Sequence, residues 1–124
     1  MMRIQIEALW NFTSETSPHS MRVILSILRE IKQTGTLASA ADHSGMSYRH
    51  AWNLVDQWSA FFGEPLVERQ RGKGTHLTAL GNKLVWAEQH LNARLGPQLH
   101  NIAQELEMEL ASLLPGLPPR IRIH

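Results

Sequence analysis

The 124-residue sequence contains no cysteine. That excludes disulfides, thiolate zinc sites and cysteine nucleophiles together. No apolar run approaches the length needed to cross a bilayer, so no membrane association is expected. The opening MMRIQIEALWNF has neither a long apolar stretch nor a small-residue cleavage site, and it does not read as a signal peptide. With no export signal, the cytoplasm is the expected compartment. A charge excess is also missing: 12 Lys and Arg face 11 Asp and Glu, and a net +1 points to no particular partner.

The motifs of catalysis are lacking too. There is no nucleophile elbow, no phosphate-binding glycine loop after a strand, and no pair of carboxylates on one face. Gly72-Lys73-Gly74 is too short and too local to be a phosphate loop. The chain is therefore not expected to be an enzyme. Histidine is plentiful, but on one helix metal-ligand pairs usually fall about three or four residues apart. His90 and His100 are ten apart, and His43 and His50 are seven apart across a turn, so no metal site is expected.

What is present is a core and a pattern. Hydrophobic residues make up 43% of the chain, enough for one packed domain with an appendage. Residues 2–12 alternate, with Ile4, Ile6, Trp10 and Phe12 on one face, and predict a strand. A polar loop with Pro18 precedes a helix from about His19 to Thr34, whose buried stripe is Met21, Ile24, Leu25, Leu28 and Ile31. Gly35 stops it. Thr36 caps a short second helix, Leu37 to His43, kept slim by Ala38, Ala40 and Ala41. Ser44-Gly45-Met46 is a tight turn, and Ser47 caps a third helix, Tyr48 to about Phe62. Its inward face is Ala51, Leu54, Val55, Trp58 and Phe62.

After Gly63-Glu64-Pro65, strands at Leu66–Arg69 and Thr75–Leu77 flank the turn Arg71-Gly72-Lys73-Gly74, a two-stranded wing. Thr78 caps the last helix, Ala79 to about Ser112. Its Leu84, Leu91, Leu95, Leu99, Ile102 and Leu106 recur at the spacings of a partner-helix seam. At ~1.5 Å per residue such a helix runs to roughly 50 Å, more than a small domain can cover, so the seam predicts a homodimer. Its first part, Leu80 and Leu84, is placed to pack on its own domain instead. Gly96-Pro97 predicts a kink near residues 93–97. Charge divides along the same line. Residues 66–83 carry Arg69, Arg71, Lys73 and Lys83 against Glu68 alone, whereas residues 84–114 carry Glu88, Glu105, Glu107 and Glu109 against Arg94 alone. One end suits phosphate and the other avoids it.

The expected fold class is mainly α: a winged helix-turn-helix with an N-terminal strand, a two-stranded wing and a long dimerisation helix. The expected domains are 1–78, the winged helix-turn-helix; 79–114, the dimerisation helix; and 115–124, a linker and the start of a further effector domain. A helix-turn-helix places its second helix in the major groove of double-stranded DNA, with residues near its N-terminus reaching base edges. Here those are Ser47, Tyr48, Arg49, His50 and Asn53. Arg49 can donate two hydrogen bonds to guanine, and Asn53 can pair with adenine or hold a phosphate. Ser47 and Tyr48 suit phosphate oxygens, and Thr36 offers another such contact. Arg71 and Lys73 in the wing tip can follow the backbone or enter the minor groove. Arg69 is expected to be structural, reaching a carboxylate such as Asp56 or Glu68. Trp52, Trp58 and Trp86 read as core or interface. The competing reading is a winged-helix adaptor that binds protein and not DNA.

The segment GTLASAADHSGMSYRHAWNLVDQW, followed by PLVERQRGKGTHLTALGNKL, resembles the N-terminal domain of ModE-type regulators, which are molybdate-responsive repressors. ASAADHSGMS and FFGEPLVERQRGKGTHLTALG are also similar to the DNA-binding domain of LysR-type regulators. The resemblance covers roughly residues 20–90 and implies a dimer paired through the last helix. By the same resemblance, Ser47, Tyr48, Arg49 and Asn53 match recognition-helix positions, and Arg71 and Lys73 match the wing. No cofactor is expected in this chain. An effector, an oxyanion such as molybdate by resemblance alone, would bind a separate C-terminal domain.

Overall fold

The computed structural model describes residues 3–18 and 20–114. The expectations for 115–124, and for a helix start at His19, lie outside the described residues. The element order is α1 (Met21–Thr34), α2 (Leu37–Ser44), α3 (Tyr48–Phe62), β1 (Val67–Gln70), β2 (Gly74–Leu77) and α4 (Ala79–Leu113). The chain divides into two compact units. One is Leu9–Gln89; the other joins the described residues of Met1–Ala8 to those of His90–His124.

In the first unit the helix boundaries follow from capping. Met21 and Arg22 donate their backbone N–H groups to Asn11 Oδ1 at 3.2 Å and Ser20 Oγ at 3.1 Å. Thr36 and Ser47 accept from Ser39 N–H at 3.2 Å and His50 N–H at 3.0 Å. Such caps satisfy donors that an α-helix leaves unpaired in its first turn. Between α2 and α3 the chain reverses at Gly45, whose φ of 68° lies in the left-handed region that a side chain disfavours. The apolar stripes of α1, α2 and α3 close on one core, with Met21, Ile24, Leu25, Leu28, Ile31, Leu37, Ala51, Val55 and Trp58 at 2% exposure or less. Phe12 packs into it, with ring centroids 5.5 Å from Phe61 and 5.1 Å from Phe62. Arg29 on α1 and Glu88 on α4 form an ion pair at 2.9 Å.

The wing is an antiparallel hairpin with Val67 opposite Leu77 and Arg69 opposite Thr75. Lys73 N–H bonds to Gln70 O at 2.9 Å, closing the turn. Leu66, fully buried, anchors the base. Strand β2 is held from the other side by Thr75 N–H donating to Gly35 O at 3.0 Å. A Cβ on Gly74 would stand 2.8 Å from that same carbonyl, so glycine permits the approach.

The N-terminal strand does not form. Ile4, Ile6, Trp10 and Phe12 are half-buried while Arg3, Gln5, Glu7 and Asn11 are exposed, as the alternation predicts, yet residues 3–12 pair with no strand. The only sheet among the described residues is β1–β2. Alternation records which side chains turn inward, and a strand also needs a ladder partner. In the second unit, Ile4 N–H is satisfied by Glu107 Oε2 of α4 at 2.7 Å instead. Helix α4 stays helical through Gly96 and Pro97.

Candidate nucleic-acid interface

Helix α3 buries Ala51, Leu54, Val55 and Trp58 and leaves Tyr48, Arg49, His50, Asn53, Asp56 and Gln57 exposed. The division follows from helical periodicity. Arg49 and Asn53 are one turn apart and therefore share a face. Tyr48 is 49% exposed, so about half of its side chain is open to a ligand. Ser47, also exposed, spends an oxygen lone pair on His50 N–H and keeps its own hydroxyl proton for a second partner. Thr36 is exposed at the start of α2 and does the same for Ser39. The first-turn N–H groups of α3 add a positive helix end to this surface. Arg71 and Lys73, on either side of Gly72, are exposed at the wing tip.

Two residues treated as structural prove to connect these parts. Arg69, on β1, lays its guanidinium over the Trp52 ring of α3, with Cζ 4.4 Å from the ring centroid. Its partner is thus an indole and not the carboxylate of Asp56 or Glu68. A flat, weakly hydrated guanidinium stacks on an aromatic face at little desolvation cost. Tyr48 meets the same indole edge-on, with centroids 6.3 Å apart and planes at 81°. Arg69 and Trp52 are seventeen residues apart, and no local spacing marks such a pair.

On α4, Leu84 is 7% exposed and belongs to the core of its own domain, so burial removes it from the expected seam. Leu91, Leu95 and Leu99 are half-buried, and Ile102 and Leu106 are 50% and 42% exposed. Among the described residues, no three His, Asp or Glu side chains gather as a metal site requires. No helix there is long and apolar enough to cross a membrane.

Residues 24–82 match the family model described as bacterial regulatory helix-turn-helix protein, lysR family. The fold is shared with a solved LysR family transcriptional regulator, VV2_1132, at a TM-score of 0.57 and 18% identity, over 74% of this chain and 31% of that one. It is shared also with the DNA-binding domain of CbnR, solved in complex with DNA, at a TM-score of 0.50 and 23% identity, over 60% of this chain and 85% of that one. The class defined by the fold is therefore a winged helix-turn-helix, and within it residues 24–82 are similar to the helix-turn-helix of lysR-family bacterial regulators. Transcriptional regulator ModE of Yersinia pestis is 34% identical over 65 residues, 49% of this chain and 25% of that protein. Molybdenum-pterin-binding protein MopB of Rhodobacter capsulatus is 30% identical over 100 residues, 77% of this chain and 37% of that protein. The chain thus spans about a quarter to somewhat over a third of these relatives.

Proposed function

We propose that the chain acts as a sequence-specific DNA-binding transcriptional regulator and works as a homodimer in the cytoplasm. The observation that carries this reading is the bare Arg49–Asn53 face of α3, with a cationic wing tip in the same compact unit. In this reading α3 lies in the major groove, where Arg49 reads guanine and Asn53 reads adenine or grips a phosphate. Ser47, Tyr48, His50 and Thr36 hold the backbone, which fixes register without specifying sequence. Arg71 and Lys73 follow the backbone or enter the neighbouring minor groove. Two copies related by a two-fold axis would place their α3 helices about one DNA turn apart, or a multiple of it, on a partly palindromic site. The work is recognition and not catalysis. An effector, an oxyanion by resemblance, would act through a separate domain.

The seam from Leu91 to Leu106 supports the dimer, since exposed Ile102 and Leu106 continue a stripe that monomers rarely leave bare. Residues 79–114 would then be the dimerisation element and residues 1–78 the reading head.

The test is binding to a random-sequence DNA duplex across a salt series. Counterion release predicts that log K falls linearly with log salt, by ~0.9 for each phosphate neutralised. Absence of binding even at low salt would favour the protein-binding adaptor.

A further inference from the structure

We infer that Trp52 is a positioning residue that holds the wing to helix α3 through the Arg69 guanidinium stacked on its ring. The inference rests on the DNA-binding reading above and deepens it, because neither residue need touch DNA. The indole stands at the centre of a three-member stack. Arg69 covers it at 4.4 Å, and the ring of Tyr48, the first residue of α3, stands T-shaped to it with centroids 6.3 Å apart. Trp52 itself lies beside Asn53, three residues beyond Arg49. One ring therefore links the base-reading half of α3 to strand β1, two residues short of Arg71.

A two-stranded hairpin alone is at best marginally stable in water. Leu66 fixes this one at its base in the core. Toward the tip, the structure supplies one hold on each strand: Thr75 N–H on Gly35 O for β2, and Arg69 on Trp52 for β1. Thr75 and Arg69 are directly opposite in the ladder, so the two holds grip a single rung. With the β1 hold released, the hairpin hinges at that rung. Arg71 and Lys73 then no longer meet phosphate while α3 is seated.

This consequence separates a positioning role from an electrostatic one. Trp52→Leu removes no charge, yet it is expected to lower the salt slope for a random-sequence duplex by about two, the loss of the Arg71 and Lys73 phosphate contacts. Trp52→Phe keeps a ring face for the guanidinium and should restore the slope of the unmodified chain. Trp52→Leu protein that retains native helical circular dichroism and the unmodified slope would overturn the inference.

If Trp52→Leu does not fold, Arg69→Met decides the matter alone and combined with Lys73→Ala. A held wing predicts that the double variant has the same slope as Arg69→Met. A further drop of about one for the double variant shows independent phosphate contacts and overturns the inference. An unmodified chain with no salt-dependent binding fails earlier, and it takes the DNA-binding reading with it.

Discussion

Gly81 and Gly96 lie on the same helix and differ in what a methyl group would meet. A Cβ on Gly81 would run into the backbone carbonyl of Leu66 and stand 3.3 Å from Leu77 Cβ. Both neighbours belong to the wing base, and a backbone carbonyl cannot swing aside as a flexible side chain does. Gly81→Ala should therefore destabilise the protein by ~1–3 kcal/mol, the usual cost of overpacking. A Cβ on Gly96 meets nothing within 4 Å beyond its own helical turn and its chain neighbours, of which Pro97 is one. Gly96→Ala should be close to neutral, because the ~0.5–1 kcal/mol gained from backbone entropy is offset by the clash between a new Cβ and the Pro97 ring in helical backbone. Urea titration of the two variants measures the difference. A Gly81→Ala protein no less stable than Gly96→Ala would mean that α4 does not press against the wing base. The same scale holds the pairing that sequence could not reveal: Arg69 with Trp52 is a contact across the fold, between side chains whose local patterns pointed to a carboxylate and to the core.

Elements were readable where chemistry is local. Serine or threonine precedes each helix, and glycine follows the first three, so caps and stops are written beside the segments they bound. Helix α3 was expected at Tyr48 to Phe62 and occupies Tyr48–Phe62. Strands β1 and β2 each differ from expectation by one residue, because ladder pairing and not alternation sets their ends. The N-terminal segment depends on what is not local. Its alternating burial is real, but whether a neighbouring strand exists is a question about the rest of the chain. Leu84 satisfies both the seam register and the core register, and its burial in its own domain agrees with the expectation for the first part of α4. The exposed face of α3 was legible, since the apolar residues of that helix define the opposite side.

For the whole molecule, the acidic later helix and the basic wing segment suit an arrangement with one end on DNA and the other paired with a second copy. Leu95→Lys tests the pairing. A buried ammonium in the seam should shift the protein toward monomer, read by analytical ultracentrifugation. An unchanged sedimentation coefficient would refute the seam. The account as a whole depends on α3 reading bases, and Arg49→Ala tests it most directly. Preferred duplexes would be selected from a random pool with the unmodified chain. Affinities of both proteins would then be measured for that preferred duplex and for random duplex at one salt concentration. The expected result is a loss of ~1–3 kcal/mol on the preferred duplex with little change on random DNA. Equal losses on both, or a pool that yields no preferred sequence, would contradict it.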